Sequence, residues 1–344
     1  MNADAINLLE QVLAGSDLSE AEAAWIMRSM VADNLAPALS GGLLIAMRLK
    51  GEAASEIRGF AQAMKELARS PEIPAGGNYV DIVGTGGDSS GSLNLSTGSA
   101  LLTAACGIRV VKHGNRSISS RSGSADALEA IGLPIPLNER EAGESLATLG
   151  FTFLFAPHYH PAMKNIGPVR GALGVRTVFN ILGPLTNPAT PRFNVIGAFS
   201  EEIAEMMAQA LSGMDAERSF VIHGAPGWDE ATPVGPFLCF DVRPGMVERT
   251  VRDPADLGLA RCRPDDLLGA GAQENADRLV AAVSGEDTQA HRDALTLGAA
   301  LALEVSGAEP DAEYAVKRAR QTLEDGGGAK FLQQLRAFGQ ELRE

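Results

Sequence analysis

Apolar residues in the first seventy positions recur at helical spacing. Ile26, Met27, Met30 and Val31 fall on one helical face, and Ser19-x-x-Glu22 ahead of them is a capping box. Pro37 opens another apolar helix, Leu39 to Leu49, which Lys50-Gly51 closes. Ser55 is the expected cap of a further helix from Glu56 to about Ala68. Ser70-Pro71 to Gly76-Gly77 reads as a hinge. From Asn78 the pattern changes, and short apolar runs alternate with helical ones. Strands are expected at 79–83, 108–112, 152–155, 194–198, 219–223 and 237–242. Helices are expected near 96–106, 124–131, 139–148, 201–213, 274–284, 289–306 and 310–324. This predicts an α/β fold: a small N-terminal helical bundle over 1–72, then a larger α/β domain over 73–344 with a central, mainly parallel sheet flanked by helices. Five prolines and several glycines make long regular elements unexpected throughout 157–190.

The chain of 344 residues is 45% hydrophobic, enough for a sizeable core. Its formal net charge is −14, which argues against a nucleic-acid or anionic-membrane partner. No apolar run reaches membrane-spanning length, and the first residues lack the features of a signal peptide. Cys106, Cys239 and Cys262 are far apart, as in a reduced cytoplasmic protein, and give no zinc spacing.

Against that acidic background, two loops stand out. Residues 81–97 read DIVGTGGDSSGSLNLST: strand, glycine turn, helix start. Glycines let a ligand approach bare N–H groups, and the free donors of the helix start would complete an anion site. The stretch is neither a Walker loop nor a complete G-x-G-x-x-G, so by itself it reads equally as a tight turn. Residues 110–126, VVKHGNRSISSRSGSAD, follow a second strand and crowd Lys112, Arg116 and many hydroxyls around Gly114. Cations, hydroxyls and glycines together suit a phosphate-rich ligand.

Farther along, Arg170 reads either as a surface arginine tied to a carboxylate or as a clamp for a substrate carboxylate. Asp229-Glu230 reads either as an exposed acidic turn or as oxygen ligands for Mg²⁺. His158 and His160 lack partners at metal-ligand spacing and suit packing or a substrate contact equally.

GTGGD, N-x-ST, KHGNR-x-x-SS and GSAD in this order resemble the anthranilate phosphoribosyltransferase family. The resemblance runs on through APHYHPAM at 156–163, Pro168-Val169-Arg170, FNILGPLTNP at 179–188 and Asp229-Glu230, nearly the whole chain. It implies transfer of the phosphoribosyl group of 5-phospho-α-D-ribosyl 1-diphosphate to the amine of anthranilate, in tryptophan biosynthesis. It further implies that Gly84, Gly87, Asp88, Ser92, Asn94, Leu95, Ser96 and Thr97 hold the donor from one side. Lys112, His113, Gly114, Asn115, Arg116, Ser117, Ile118, Ser119, Ser120 and Ser124 would hold it from the other. Ser96, Asp229 and Glu230 would carry magnesium, two ions with the diphosphate. Gly84, His113, Asn115, Arg170 and Gly183 would meet anthranilate, Arg170 as the clamp; Lys112, Asn115 and Arg170 are the expected catalytic residues. The family's helical domain, joined by part of 157–190, implies a homodimer. Trp228, the segment 231–237, Gly298 and Leu93 depart from the family pattern, and bear on the acceptor or the metal loop rather than the donor. Alternatives are a different aromatic acceptor, a nucleoside-phosphorylase-like enzyme that binds free phosphate, and a non-catalytic sugar-phosphate-binding module.

Overall fold

The computed structural model describes residues 2–116 and 122–344. It opens with α1 (Asn2–Leu13), α2 (Glu20–Val31), α3 (Pro37–Lys50) and α4 (Ala54–Glu66). The capping box forms: Ser19 accepts the Glu22 N–H, and Glu22 accepts the Ser19 N–H. The cap expected of Ser55 does not. The residue preceding α4 is Ala53, and Ser55 Oγ donates to the Leu18 carbonyl at 3.0 Å. Glu56 replaces the missing cap. Its carboxylate accepts the N–H groups of Ala53 and Leu18 at 2.8 and 2.9 Å.

There follow β1 (Val80–Gly84), α5 (Leu95–Ala105), β2 (Val110–Gly114), α6 (Ser124–Ile131), α7 (Glu139–Leu149) and β3 (Phe151–Phe155). A crossing segment carries α8 (Ala156–Tyr159), α9 (Met163–Leu173) and α10 (Phe179–Leu182). The chain then returns through β4 (Phe193–Gly197), α11 (Glu201–Leu211), β5 (Arg218–Gly224), β6 (Phe237–Arg243) and β7 (Met246–Arg252). It ends with α12 (Ala272–Val283), α13 (Gln289–Val305), α14 (Ala312–Glu324) and α15 (Gly327–Glu341). Among the described residues, no helix is long and apolar enough to cross a membrane.

One sheet holds the strands in the order β3-β2-β1-β4-β5-β6-β7. The first five are mutually parallel; β6 and β7 return antiparallel. From β1 the chain winds outward to β3, then crosses back to β4 on the other side of β1. The strand order therefore reverses between β1 and β4, which opens a crevice at their C-terminal ends. Alternate strand residues face two cores. Val195, Phe220 and Ile222 join the α5–α12–α13 side. Ile196 and Val221 join α11 and the helical bundle.

Two elements escape the hydrophobic pattern. β7 is an edge strand, and its polar residues hide it. α15 is hidden by Gly326-Gly327-Gly328, which reads as a breaker. A Cβ on Gly328 would lie 1.9 Å from the Val283 carbonyl oxygen, so glycine there permits close helix packing. A third expectation is corrected: α9 is a regular helix of 11 residues with Pro168 inside it. Packing against α2 and α3, and a 2.7 Å bond from Asn165 Nδ2 to the Val31 carbonyl, outweigh the lost proline N–H.

Candidate active site

Gly84 ends β1 and pairs in register with Gly197 at the end of β4. Between them passes Asp229. A Cβ on Gly84 would lie 2.2 Å from Asp229 Oδ2, and one on Gly197 would lie 1.5 Å from the Asp229 carbonyl oxygen. Only glycine at both positions lets a third loop, the one that carries Asp229 and Glu230, enter the crevice. Gly86 and Gly87 take left-handed φ of +68° and +79°. The turn they form points the Gly86 N–H at Asp229 Oδ2, 2.6 Å away. Asp88 Oδ1 accepts from Ser90, while its Oδ2 receives the Asp229 N–H at 3.4 Å.

Trp228 explains how the acidic pair is presented. Gly224 and Trp228 exchange two backbone hydrogen bonds of 2.9 Å, and the indole is buried in the main core. The departure at Trp228 therefore anchors the acidic loop from beneath. The next residue but one, Glu230, accepts the Ser96 N–H at 2.9 Å and the Ser92 hydroxyl at 3.2 Å. Burial pushes the Asp229 carboxyl above the ordinary carboxylate range, and the neighbouring Asp88 charge adds to this. Burial and then Asp229 push Glu230 the same way.

The helix start of α5 differs from the open cradle expected of it. Ser96 N–H is given to Glu230, and the Thr97 and Gly98 N–H groups both donate to the Asn94 carbonyl. A side-chain carboxylate already takes the place that an N-terminal helix dipole offers an anion. The Leu95 side chain is in the core rather than in the site. Thr97 Oγ1 is buried with no partner among the described residues. The Asn94 amide bridges two protein groups, donating to the Ser122 carbonyl and accepting from Asn275, both at 3.0 Å.

The loop after β2 divides. Lys112 is 2% exposed; its Nζ donates to the Ile82 carbonyl and lies 3.4 Å from Ser96 Oγ. Burial lowers its pKa to about 8, against the opposing pull of Asp81, Glu230 and Asp229. Asp81 is fully buried, and burial raises it to about 6. It accepts Asn187 Nδ2 at 2.8 Å and the His113 N–H at 3.2 Å. Asn187 also donates to the Val111 carbonyl at 2.8 Å. His113 lies 3.2 Å through Nδ1 from the Gly183 carbonyl oxygen and edge-on to His160 at 5.1 Å. Burial drives His113 down to about 3, so its ring is neutral.

Asn115 Oδ1 accepts the Arg116 N–H at 2.7 Å, and its carbonyl accepts the Ser124 hydroxyl at 3.1 Å. A Cβ on Gly114 would lie 2.5 Å from that Ser124 oxygen. Arg116 departs from expectation: its guanidinium pairs with Asp126 and Glu129 at 2.8 and 2.5 Å. The acids of α6 take the charge expected to face the donor. Ser117, Ile118, Ser119 and Ser120 lie outside the described residues.

On the crossing segment, the Arg170 guanidinium lies over the Phe179 ring at 4.9 Å. It has no hydrogen bond or ion pair among the described residues, and partial burial lowers its pKa. This is a positioned cation with open donors, unlike a surface arginine tied to a carboxylate. Arg176, which sequence reasoning left without a role, donates to the Gly87 carbonyl and stacks on Phe199 at 4.3 Å. Arg48 of α3 donates to the Arg176 carbonyl at 2.6 Å, so the helical bundle is tied to the glycine turn. A lone arginine in a proline-rich stretch carried no signal for this. His158 packs edge-on to Tyr159 at 5.0 Å. Among the described residues, no three His, Cys, Asp or Glu side chains gather into a set able to hold a metal ion.

Residues 6–68 match the helical bundle domain of the glycosyl transferase family, and residues 76–329 match its a/b domain. An anthranilate phosphoribosyltransferase of Rhodospirillum rubrum is 43% identical over 327 residues, 95% of this chain and 93% of its own length. One from Chloroflexus aurantiacus is 42% identical over 325 residues, 94% of this chain and 95% of its own. The crystal structure of anthranilate phosphoribosyltransferase from Thermus thermophilus superposes with a TM-score of 0.89 at 41% identity, covering 96% of this chain and 99% of that one. A Saccharomyces cerevisiae anthranilate phosphoribosyltransferase in complex with PRPP and Mg shares the fold, with a TM-score of 0.87 at 23% identity and 99% of both chains covered.

Proposed function

The chain belongs to the anthranilate phosphoribosyltransferase family of glycosyl transferases, and on that premise we propose how its own residues carry the reaction. The enzyme transfers the phosphoribosyl group of 5-phospho-α-D-ribosyl 1-diphosphate to the amine of anthranilate, giving N-(5-phosphoribosyl)anthranilate and diphosphate, in tryptophan biosynthesis.

Breaking the C1–O bond leaves positive charge on the ribose and negative charge on diphosphate. Catalysis then consists chiefly of positioning and of stabilising the leaving charge. The glycine turn after β1 and the loop after β2 hold the donor from two sides of the crevice. Lys112 supplies a cation beside Ser96, at the point where both loops meet the acidic pair. Each such fixed contact to the developing charge is worth about 3–4 kcal/mol.

The residues fit magnesium. Asp229 and Glu230 form a two-carboxylate pair beside Ser96, and burial together with repulsion between neighbouring acids opposes the ionisation of the pair. A hard cation relieves that repulsion, and the small carboxylate set suits an ion that also binds substrate phosphates. Ser96, Asp229 and Glu230 would hold it, as two ions with the diphosphate. Bound magnesium neutralises charge growing on the leaving group.

Arg170 clamps the anthranilate carboxylate in bidentate geometry, braced from behind by Phe179. Asn115, the neutral His113 ring, Gly84 and Gly183 complete the acceptor side. The aromatic amine is neutral and nucleophilic at pH 7, so the site needs no strong base. The apolar groove between α1, α3 and α9, with Leu13 and Leu49 exposed at 60% and 81%, is read as the face of a homodimer. The bundle over 1–72 with part of 157–190 is read as the dimerising domain. The three free thiols suit a reducing compartment, the cytoplasm.

The observation that carries this reading is Asp229 and Glu230 threaded between both glycines of the strand-order reversal and the start of α5. Its test follows anthranilate fluorescence with the donor and Mg²⁺. The signal should decay, match diphosphate release and stop on chelation. Donor binding without decay would sink the acceptor assignment and call for an acceptor screen.

A further inference from the structure

Asn275 lies on α12, outside every motif that points to the reaction, and is 2% exposed. Its Oδ1 accepts the Ala270 N–H at 2.6 Å, and its Nδ2 donates to Asn94 Oδ1 at 3.0 Å. Asn94 Nδ2 in turn donates to the Ser122 carbonyl at 3.0 Å. The direction of this relay is set by its ends. A backbone N–H only donates and a backbone carbonyl only accepts. With Ala270 N–H at one end and Ser122 C=O at the other, one orientation of both amides satisfies the whole chain. Flipping either amide sets oxygen against oxygen or nitrogen against nitrogen.

The relay joins the two donor loops. Asn94 closes the loop after β1, and Ser122 precedes α6 beyond the loop after β2. The segment ahead of Asn275 is stitched to the first loop: Leu93 N–H donates to the Leu267 carbonyl at 2.9 Å, and Gly269 N–H to the Gly91 carbonyl at 2.8 Å. Gly269 comes so close that a Cβ there would lie 2.7 Å from the Ser92 carbonyl oxygen and 3.0 Å from Asn275 Oδ1. α12 packs on both α5 and α6, the helices that follow the two loops.

We infer that Asn275 is a positioning residue for the phosphoribosyl donor, setting the polarity of an amide relay that holds the β1 and β2 loops at a fixed spacing. It acts through Asn94 and Ser122. The inference rests on the proposed function for the identity of the donor.

The test measures donor binding by calorimetry with Mg²⁺, together with steady-state turnover. Asn275→Ala should raise the donor Kd and KM about tenfold, the worth of roughly one buried hydrogen bond, and leave the anthranilate KM unchanged. Asn275→Asp has the same shape. Ionised, it has no donor for Asn94 Oδ1; protonated, its C=O and O–H keep both roles. Measured against wild type at each pH, its donor-binding deficit should shrink as pH falls from about 8 to about 6, because burial raises a carboxyl pKa. That reference cancels every change with pH that the two proteins share, so only the substituted side chain is read. A merely structural asparagine would show no such pH dependence. An unchanged donor Kd in Asn275→Ala, equal rises in both KM values, or a pH-independent deficit in Asn275→Asp would each overturn the assignment. If thermal unfolding shows that the Ala variant does not fold, the Asp variant decides alone, or Asn275→Ser if that also fails. Wild type that binds the donor but does not consume anthranilate would overturn the proposed reaction and leave the relay testable by binding.

Discussion

Glu230 Oε1 accepts the backbone N–H of Ser96 at 2.9 Å, across 134 residues of chain. The acid of the third loop thereby caps the helix that follows the first. A carboxylate at a helix start gains from the aligned peptide dipoles, and it brings two expected magnesium ligands into contact before any ligand arrives. The oxygens each spend one lone pair on the protein and keep others for a cation.

That arrangement is strained by charge, which gives a pH signature. Glu230 is raised above the carboxylate range, so the folded protein holds its proton more tightly than the unfolded chain does. Its contribution to stability is present at low pH and is lost as pH rises through the folded pKa. With a chelator present, Glu230→Gln should therefore be more stable than wild type above about pH 7, by about 1 kcal/mol or more. The difference should vanish toward acidic pH. Thermal unfolding across pH reads this directly, and a constant difference would contradict it. The same variant should need much more Mg²⁺ for turnover.

Glycines of the site fall into two kinds, and alanine separates them. Gly197→Ala places a Cβ 1.5 Å from the Asp229 carbonyl oxygen, so the acidic loop must move. A loss of about 1–3 kcal/mol by denaturant unfolding is expected, together with loss of magnesium-dependent activity. At Gly183 an added Cβ meets nothing within 4 Å. Gly183→Ala should keep stability and weaken only anthranilate; an unaltered anthranilate KM would remove Gly183 from the acceptor site.

Arg170→Ala should raise the anthranilate KM about ten- to hundredfold, matching roughly 1.5–3 kcal/mol for a hydrogen bond to a charged group. The donor KM should barely move. Arg170→Lys should recover little, because an ammonium cannot reproduce the planar fork. Equal effects on both substrates would argue against the clamp.

Arg176→Ala cuts the bond to the Gly87 carbonyl and the stack on Phe199. The glycine turn would lose its tie to the crossing segment. The expected effect is the reverse of that at Arg170: a donor KM raised about three- to tenfold, the worth of one net hydrogen bond, with anthranilate little affected. Steady-state kinetics with each substrate varied in turn distinguishes the two arginines.

Much of the site was legible because its signals are local. Glycines after strands 79–83 and 108–112, Lys112 beside Gly114 and the adjacent Asp229 and Glu230 all stand out against an acidic chain. Asp81 was not singled out: it is an acid inside an apolar strand run, and nothing local names Asn187 as its buried partner. Arg116 misled because a helix expected at 124–131 does not by itself show that its Asp126 and Glu129 turn back onto the guanidinium and take its charge. β7 was lost because an edge strand need not alternate cleanly, and α9 because packing outweighed a proline.

Most helices and strands, and the glycines at their junctions, can be read from the local pattern of residues. Periodicity and backbone permissiveness act within a few residues, so they can be read without knowing the fold. Which groups meet follows only from the way the chain folds back on itself. Asp229 lies between Gly84 and Gly197 because the strand order reverses there. The Ser96 N–H meets Glu230, and the Asn275 side-chain amide meets that of Asn94, because crossovers bring groups distant in sequence within hydrogen-bond reach. Each buried N–H and C=O must then find a partner wherever the fold supplies one.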